Sequence, residues 1–336
     1  YLIAKGFVEP ENACLLTFTN KAAGEMKERV IALIGRAPGF AGTFHSFCAK
    51  ILRVDGRAIG IPPSFLIYDD EDQKQAVKEI IEKLGYSTDS FSPAAALKDI
   101  SDAKNQMLSP KEYAEFAQGD WQDAVVKIYG RYEKYLKEVG ALDFDDLLLK
   151  AVELLKKEPQ VLKKWQEVFT HFFIDEWQDT NKVQYTLTKL LVGKVKNITA
   201  VGDASQSIYS WRGADYKNIN YLIKDYPGIK VINLEQNYRS TQNILSAANS
   251  VIIKNTSHPV LKLWTQNPKG GKIKLYTAKN GLEEASFVID EVNALAKLGF
   301  TLKDMEVLYR TNAQSRVFEE ALLHQGIPYV LVGGTR

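Results

Sequence analysis

The chain is 336 residues long, with 45% hydrophobic and 25% charged residues and a formal net charge of +2. These proportions suit a soluble protein of two or three domains, and no apolar run approaches the roughly 18 residues that cross a bilayer. Two cysteines, Cys14 and Cys48, are too few for a disulfide framework and point to a reducing cytoplasm, while the near-neutral charge neither demands nor excludes a nucleic-acid partner.

The first stretch, "YLIAKG", reads as the last turns of a helix with Gly6 as its C-cap residue. No methionine or leader precedes it, and an apparent strand, "PYVLVGG", lies close to the other end. The expectation is a piece of a longer protein. Residues 13–18 ("ACLLTF") have a buried-strand pattern, and residues 20–35 form a helix that Gly35 closes. A second short strand, "FAGTF", leads into a helix through "HSFCAKILR". Strand alternating with helix is the sign of a parallel sheet.

Residues 69–165 change in texture to helices with almost no strand. Ala76, Val77, Ile80, Ile81 and Leu84 make one apolar face, and "AVVKIYGRYEKYLKEV" and "FDDLLLKAVELLKK" make others. Strands resume with "HFFID", "NITAVGD" and "KVINL". A second α/β unit then runs as strand "KIKLYTA", helix 282–298, strand "MEVLYRT", helix 314–325 and strand "PYVLVGG". The expected architecture is two α/β units, with an all-helical block interrupting the first.

Ligands gather at the carboxyl ends of strands in open parallel sheets. Thr17 and Thr19, Thr43 and His45, Asp175 and Glu176, and Asp203 and Gln206 all fall at such ends. An apolar strand ending in Asp-Glu suits nucleotide hydrolysis: one carboxylate helps hold Mg²⁺ through its water shell, and the other orients and deprotonates water. The plainer alternative is solvated acids, with Trp177 as a lid over the core. Beyond the next strand Tyr209, Trp211 and Arg212 follow closely, and aromatics beside a guanidinium suit single-stranded nucleic acid. An interface or core cluster is the alternative there. Tyr238 and Arg239 mark a further strand end; a tyrosine stacks on adenine and an arginine stabilises a transferring phosphoryl group, or else forms a structural ion pair.

The segments "LLTFTNKAAGEMKERV", "GTFHSFCAKILR", "LDFDDLL", "FFIDEWQDTNKVQY", "VGDASQSIYSWRGAD", "LEQNYRSTQNILSAAN" and "VLYRTNAQSRVFEEALLHQGIPYVLVGG" occur in that order. Together they resemble the UvrD/Rep family of superfamily 1 DNA helicases over essentially the whole chain. The resemblance implies an ATP-driven motor moving 3′ to 5′ on single-stranded DNA, with duplex junctions as substrates, in repair or replication. It implies a RecA-like parallel-sheet motor domain (residues 1–57 and 168–235) with an all-helical insertion (58–167), followed by the start of a second RecA-like domain (236–336).

By the same resemblance, Asp175 is the Mg²⁺-coordinating acid, Glu176 the general base and Gln206 the γ-phosphate sensor. Arg239 is the γ-phosphate arginine and Tyr238 the adenine-stacking tyrosine, and Asp203 joins the residues facing ATP. Phe18, Thr19, Asn20, His45, Tyr209, Trp211 and Arg212 match positions along the single-strand track. Two departures stand out: Ala204-Ser205 replaces acidic residues common there, and Trp177 replaces the usual Tyr or Phe.

His45 lacks a partner His or Cys at zinc-ligand spacing, so a metal role is rejected. "LDFDD" offers three carboxylates at a helix start, where capping and packing are the favoured roles. The aromatics of "EYAEF" and "YEKYL" fit a core. The phosphate cradle G-x-x-x-x-G-K-[ST] is absent from the sequence, and further motifs of the second motor domain are expected beyond Arg336. The chain as given is therefore expected to hydrolyse ATP poorly or not at all. The rival readings are a DNA-binding module with a non-functional nucleotide site and a Mg²⁺-dependent nuclease, the latter lacking the extra carboxylates of a two-metal site.

Overall fold

The computed structural model describes residues 1–194, 196–210 and 213–332. The chain divides into two compact units: residues 1–234 with 251–262, and residues 235–250 with 263 onward.

In the first unit four parallel strands form one sheet. They are β1 (Ala13–Thr17), β2 (Phe40–Thr43), β5 (His171–Ile174) and β6 (Ile198–Ala200), in the spatial order β2-β1-β5-β6. Every residue of β1 is buried, as expected for a central strand covered on both faces. The helix α1 (Asn20–Ile34) follows β1, started by the Thr19 hydroxyl accepting from the Ala22 N–H and stopped by Gly35 at φ 74°. After β2, α2 (Phe44–Asp55) is capped in the same way by Thr43. Gly6 also has positive φ, closing a turn in which the Lys5 N–H donates to the Tyr1 carbonyl.

Two cores lie in this unit. The larger joins Phe47, Ile51 and Leu52 of α2 to the sheet through Cys14, Leu16 and Ile174. It also takes Leu148, Ala151 and Leu155 of α7 (Phe144–Lys157), Trp165 of α8 (Pro159–Val168), and Val183 and Leu187 of α9 (Lys182–Val192). The smaller core is built by α3 (Asp70–Lys83), α4 (Pro93–Asn105) and α6 (Asp120–Val139), with Val77, Ile100, Val125 and Ile128 at its centre. A short α5 (Pro110–Ala114) packs on α6, and a two-residue parallel pair, β3 (Leu66–Ile67) with β4 (Ala141–Leu142), ties the ends of the helical block. Thus α7, which falls within residues 58–167, and α8, all but the last residue of which does, contribute their side chains to the sheet core. The helices with a core of their own are α3, α4 and α6.

Between the cores lies a buried ionic cluster. Lys104 is fully buried, with its Nζ 2.7 Å from Asp143, 2.8 Å from Asp146 and 2.8 Å from Glu133. Burial alone would depress its pKa, but the three carboxylates more than offset that and hold it well above the ordinary value. Asp143 also caps α7 by accepting from the Asp146 N–H, so the "LDFDD" acids do cap and pack.

A helix α10 (Asn218–Asp225) completes the described helices of residues 1–234. The second unit holds most of α11 (Gln242–Ile252), with α12 (Gly281–Lys297) packed on α13 (Ser315–His324). Ala285 and Ile289 are buried, and Tyr276 stacks on Phe287 at 4.1 Å. The strands expected at 272–278 and 305–311 do not form, nor does that at 230–234; of the strand expected at 328–334, residues 328–332 are not in a strand and 333–334 lie outside the described residues. Those segments run without ladder partners, and the described residues of the second unit hold one isolated bridge, Gln236 with Trp264. A strand exists only where a neighbouring strand takes its N–H and C=O groups; here the Arg310 and Thr311 N–H groups go to the Gln314 side chain instead. Their apolar side chains stay in water: Leu275, Leu308 and Val330 are 94%, 82% and 87% exposed.

Candidate nucleotide and nucleic-acid site

The parallel register places the four strand ends at one edge of the sheet. Thr17 pairs with Thr43, Leu16 with Ile174, and Ile174 with Ala200. One residue further on, the Asp175 N–H donates to the Leu16 carbonyl and the Val201 N–H to the Ile174 carbonyl. Thr17, Thr43, the Asp175–Glu176 pair and the loop through Asp203 therefore share one edge, as the strand-end argument expects.

Asp175 is half-buried and accepts the Glu176 N–H at its own Oδ1, 3.0 Å away. Glu176 is exposed and left-handed, with φ 54° and ψ 43°, a conformation uncommon for a side chain with a Cβ. A tight hydrogen-bonded turn holds it there: the Trp177 N–H donates to the Val201 carbonyl and the Asp179 N–H to the Glu176 carbonyl. Such strain concentrates where a chain must aim a functional group.

Gln178, which the sequence reading passes over, joins the acids to the next strand end. Its Nε2 donates to Glu176 Oε2 at 2.7 Å, and its Oε1 accepts the Asp203 N–H at 2.9 Å. Asp203 in turn accepts the Ser205 N–H and the Gln206 side-chain amide, each at 2.9 Å. A chain of hydrogen bonds thus runs from Glu176 to Gln206 without an intervening water. Gly202 makes room for it, because a Cβ there would sit 2.8 Å from Gln178 Oε1 and 3.1 Å from Trp177 Cβ. Asp179 is 6% exposed, with one carboxylate oxygen unpartnered among the described residues. Burial, with the Glu176 charge adding to it, pushes its carboxyl up to about 6.

Trp177 is core: it is buried, its Nε1 donates to the Asn218 carbonyl at 3.0 Å, and its ring meets Tyr185 at 5.8 Å. For a magnesium ion the local donor set is oxygen only, as a hard cation requires. The Thr17 hydroxyl, buried and unpartnered among the described residues, lies on the strand beside Asp175. Asp175, Glu176 and Thr17 thus offer oxygens of the kind such an ion takes, while no group of three or more His, Cys, Asp or Glu side chains placed to hold a metal occurs among the described residues.

On the aromatic side, Phe18 and Tyr209 are brought together, their rings stacked at 4.8 Å and 26°. His45 meets Phe144 edge-on at 5.8 Å. Thr19 is occupied as the cap of α1, and Asn20 is the exposed first residue of that helix. Trp211 and Arg212 lie outside the described residues. Tyr238 and Arg239 belong to the second unit, where both are exposed and the Tyr238 hydroxyl donates to Gln236 at 2.9 Å.

A parallel α/β sheet thus sets an Asp-Glu pair and a glutamine-bearing loop at adjacent strand ends. The chain belongs to the UvrD/Rep helicase family: residues 1–227 match the UvrD/REP helicase N-terminal domain, and residues 232–336 the UvrD-like helicase C-terminal domain. Its relatives include the ATP-dependent DNA helicase PcrA of Staphylococcus aureus (strain Mu50), 45% identical over an alignment of 338 positions that covers all of this chain and 46% of that protein. PcrA of Bacillus subtilis (strain 168) is 45% identical over an alignment of 341 positions, again covering all of this chain and 46% of the relative. PcrA of Leuconostoc citreum is 44% identical over 331 residues, 97% of this chain and 44% of the relative. The chain spans just under half the length of these curated relatives.

Proposed function

We propose that this chain is part of an ATP-dependent DNA helicase that moves 3′ to 5′ on single-stranded DNA and acts at duplex junctions in repair or replication. The observation that carries this reading is the hydrogen-bonded line Glu176–Gln178–Asp203–Gln206 at one sheet edge, beside the stacked pair Phe18–Tyr209. In it, Asp175 would help to hold magnesium, and Glu176 takes the proton from the attacking water. Gln206 senses the γ-phosphate, and Asp203 holds the Gln206 amide in place. From the second unit, Tyr238 stacks on adenine and Arg239 meets the γ-phosphate. Phe18, Thr19, Asn20, His45, Tyr209, Trp211 and Arg212 track the single strand. Bound magnesium would supply charge neutralisation on the phosphates; the named side chains orient water and move its proton. The names of the relatives support ATP and DNA as ligands.

The sequence has no phosphate cradle, so this chain alone is expected to bind DNA and to hydrolyse ATP poorly. DNA-stimulated ATP turnover measured on this chain tests that: turnover near that of a full-length relative refutes it. The same missing cradle favours a second reading, a DNA-binding module with a non-functional nucleotide site. Single-strand binding indifferent both to ATP and to Glu176→Gln would favour it. No membrane-crossing helix occurs among the described residues, and a cytoplasmic setting fits the reading.

A further inference from the structure

The loop that carries the acids and the loop that carries the aromatics meet at Thr180. Its carbonyl accepts the Asp215 N–H at 3.1 Å and the Asn218 side-chain amide at 2.7 Å. Immediately beyond it, Asn181 starts α9, its Oδ1 accepting the Gln184 N–H at 2.9 Å. The other end of the same amide donates to Asn105 Oδ1, the last residue of α4, at 2.6 Å. Both asparagines are buried, 5% and 6% exposed.

Asn105 is fixed from its own side as well. Its Nδ2 donates to the Ser101 carbonyl at 2.9 Å and reaches Ser101 Oγ and Asp145 at 3.3 and 3.4 Å. The preceding residue is the buried Lys104, and the Gln106 carbonyl accepts from Lys182 at 3.1 Å. Asn105 also presses on the aromatic loop, since a Cβ on Gly213 would lie 3.1 Å from Asn105 Cβ and 3.3 Å from its Cγ. Gly213 has φ +77° and its N–H donates to the Ser210 carbonyl. A buried amide with its hydrogen-bonding capacity used on two elements, and its carbon face against a third, fixes all three together.

We propose that Asn105, outside every segment that carries the family resemblance, is a positioning residue: through Asn181 and Gly213 it sets the aromatic loop against the acid-bearing loop, and so orients Tyr209 for base stacking. This rests on the reading of Tyr209 and Phe18 as a single-strand track.

The test uses this chain and a fluorescein-labelled oligo-dT, with a second oligonucleotide carrying 2-aminopurine to report stacking. Asn105→Ala is expected to weaken single-strand binding about tenfold, the scale of one lost buried hydrogen bond. It should reduce the 2-aminopurine quench while leaving the salt slope of binding unchanged, because phosphate contacts are untouched. Asn181→Ser keeps the helix cap but cannot reach Asn105; it should give the same loss, and the double variant no more than either single one. If Asn105→Ala does not fold, Asn181→Ser decides alone. Wild-type affinity and quench in a folded variant, or fully additive losses, overturn the inference while leaving the DNA reading intact. A wild-type chain that neither binds oligo-dT nor quenches 2-aminopurine overturns both.

Discussion

Phe18, at the end of one strand, and Tyr209, nearly two hundred positions later, stack face to face at 4.8 Å and 26°. Offset stacking of this kind contributes about 0.5–1.5 kcal/mol beyond burial, so each ring holds the other in a defined plane. Such a plane is also what a nucleobase seeks. Tyr209→Ala and Phe18→Ala are each expected to cost about 1–3 kcal/mol of single-strand affinity. Fluorescence anisotropy with oligo-dT measures it, and a double-mutant cycle should show coupling between the two rings. Independent, additive losses would mean that the stack does not act as one surface.

Glu176 occupies the left-handed region with φ 54°, where a Cβ costs about 1 kcal/mol or more. Glycine bears no such penalty there. Glu176→Gly is therefore expected to be more stable than Glu176→Ala by about 0.5–1 kcal/mol, the left-handed penalty of about 1–2 kcal/mol less about 0.5–1 kcal/mol for glycine's larger unfolded-state entropy. Urea unfolding of the two variants measures it. Equal stabilities would mean that the turn relaxes when the carboxylate is removed.

The elements around these residues were legible in the sequence for a physical reason. An apolar run such as "ACLLTF" identifies its own strand, and Thr19 and Gly35 mark the ends of α1 by their local chemistry. The parallel register then follows from strand–helix alternation, and with it the shared edge of Thr17, Asp175 and Asp203. What the sequence hid were partners. The segments around Leu275 and Leu308 have strand composition, yet a ladder depends on a neighbour that local composition does not reveal. Gln178 reaches Asp203 and Asn181 reaches Asn105 across 25 and 76 positions, and no periodicity links such pairs. Gly202 and Gly213 are the only local marks at these places, each being small where an amide passes close, and a glycine alone does not say which amide.

Lys104 offers a direct measure of how far the helical block and the sheet core depend on one another. Removing it leaves Asp143, Asp146 and Glu133 facing each other with no cation between them. Lys104→Met is expected to lose about 3–5 kcal/mol of unfolding free energy at neutral pH, the cost of breaking a buried ion cluster from one side. The loss should shrink as the pH falls and Asp146, whose carboxyl burial raises to about 7, takes up a proton. Urea titrations at neutral and mildly acidic pH report both effects; a loss below about 1 kcal/mol at neutral pH would show that water reaches the cluster.

Asp179 supplies a pH signature with a definite sign. Its ordinary value is 3.8, and burial together with the Glu176 charge raises it to about 6 in the folded chain. Between those values the folded state keeps a proton that the unfolded state has released, so stability falls as the pH rises from about 4 to 6. Above about 6 the full penalty applies, and below about 4 none does. At about 1.4 kcal/mol per pKa unit, the penalty reaches at most roughly 3 kcal/mol. Asp179→Asn keeps an acceptor for Gln178 but has no proton to lose. The variant's advantage over the wild type should therefore grow from near zero at pH 4 to its maximum by pH 7. Urea midpoints across that range are the measurement, and a difference that does not change with pH would place the carboxylate in contact with water.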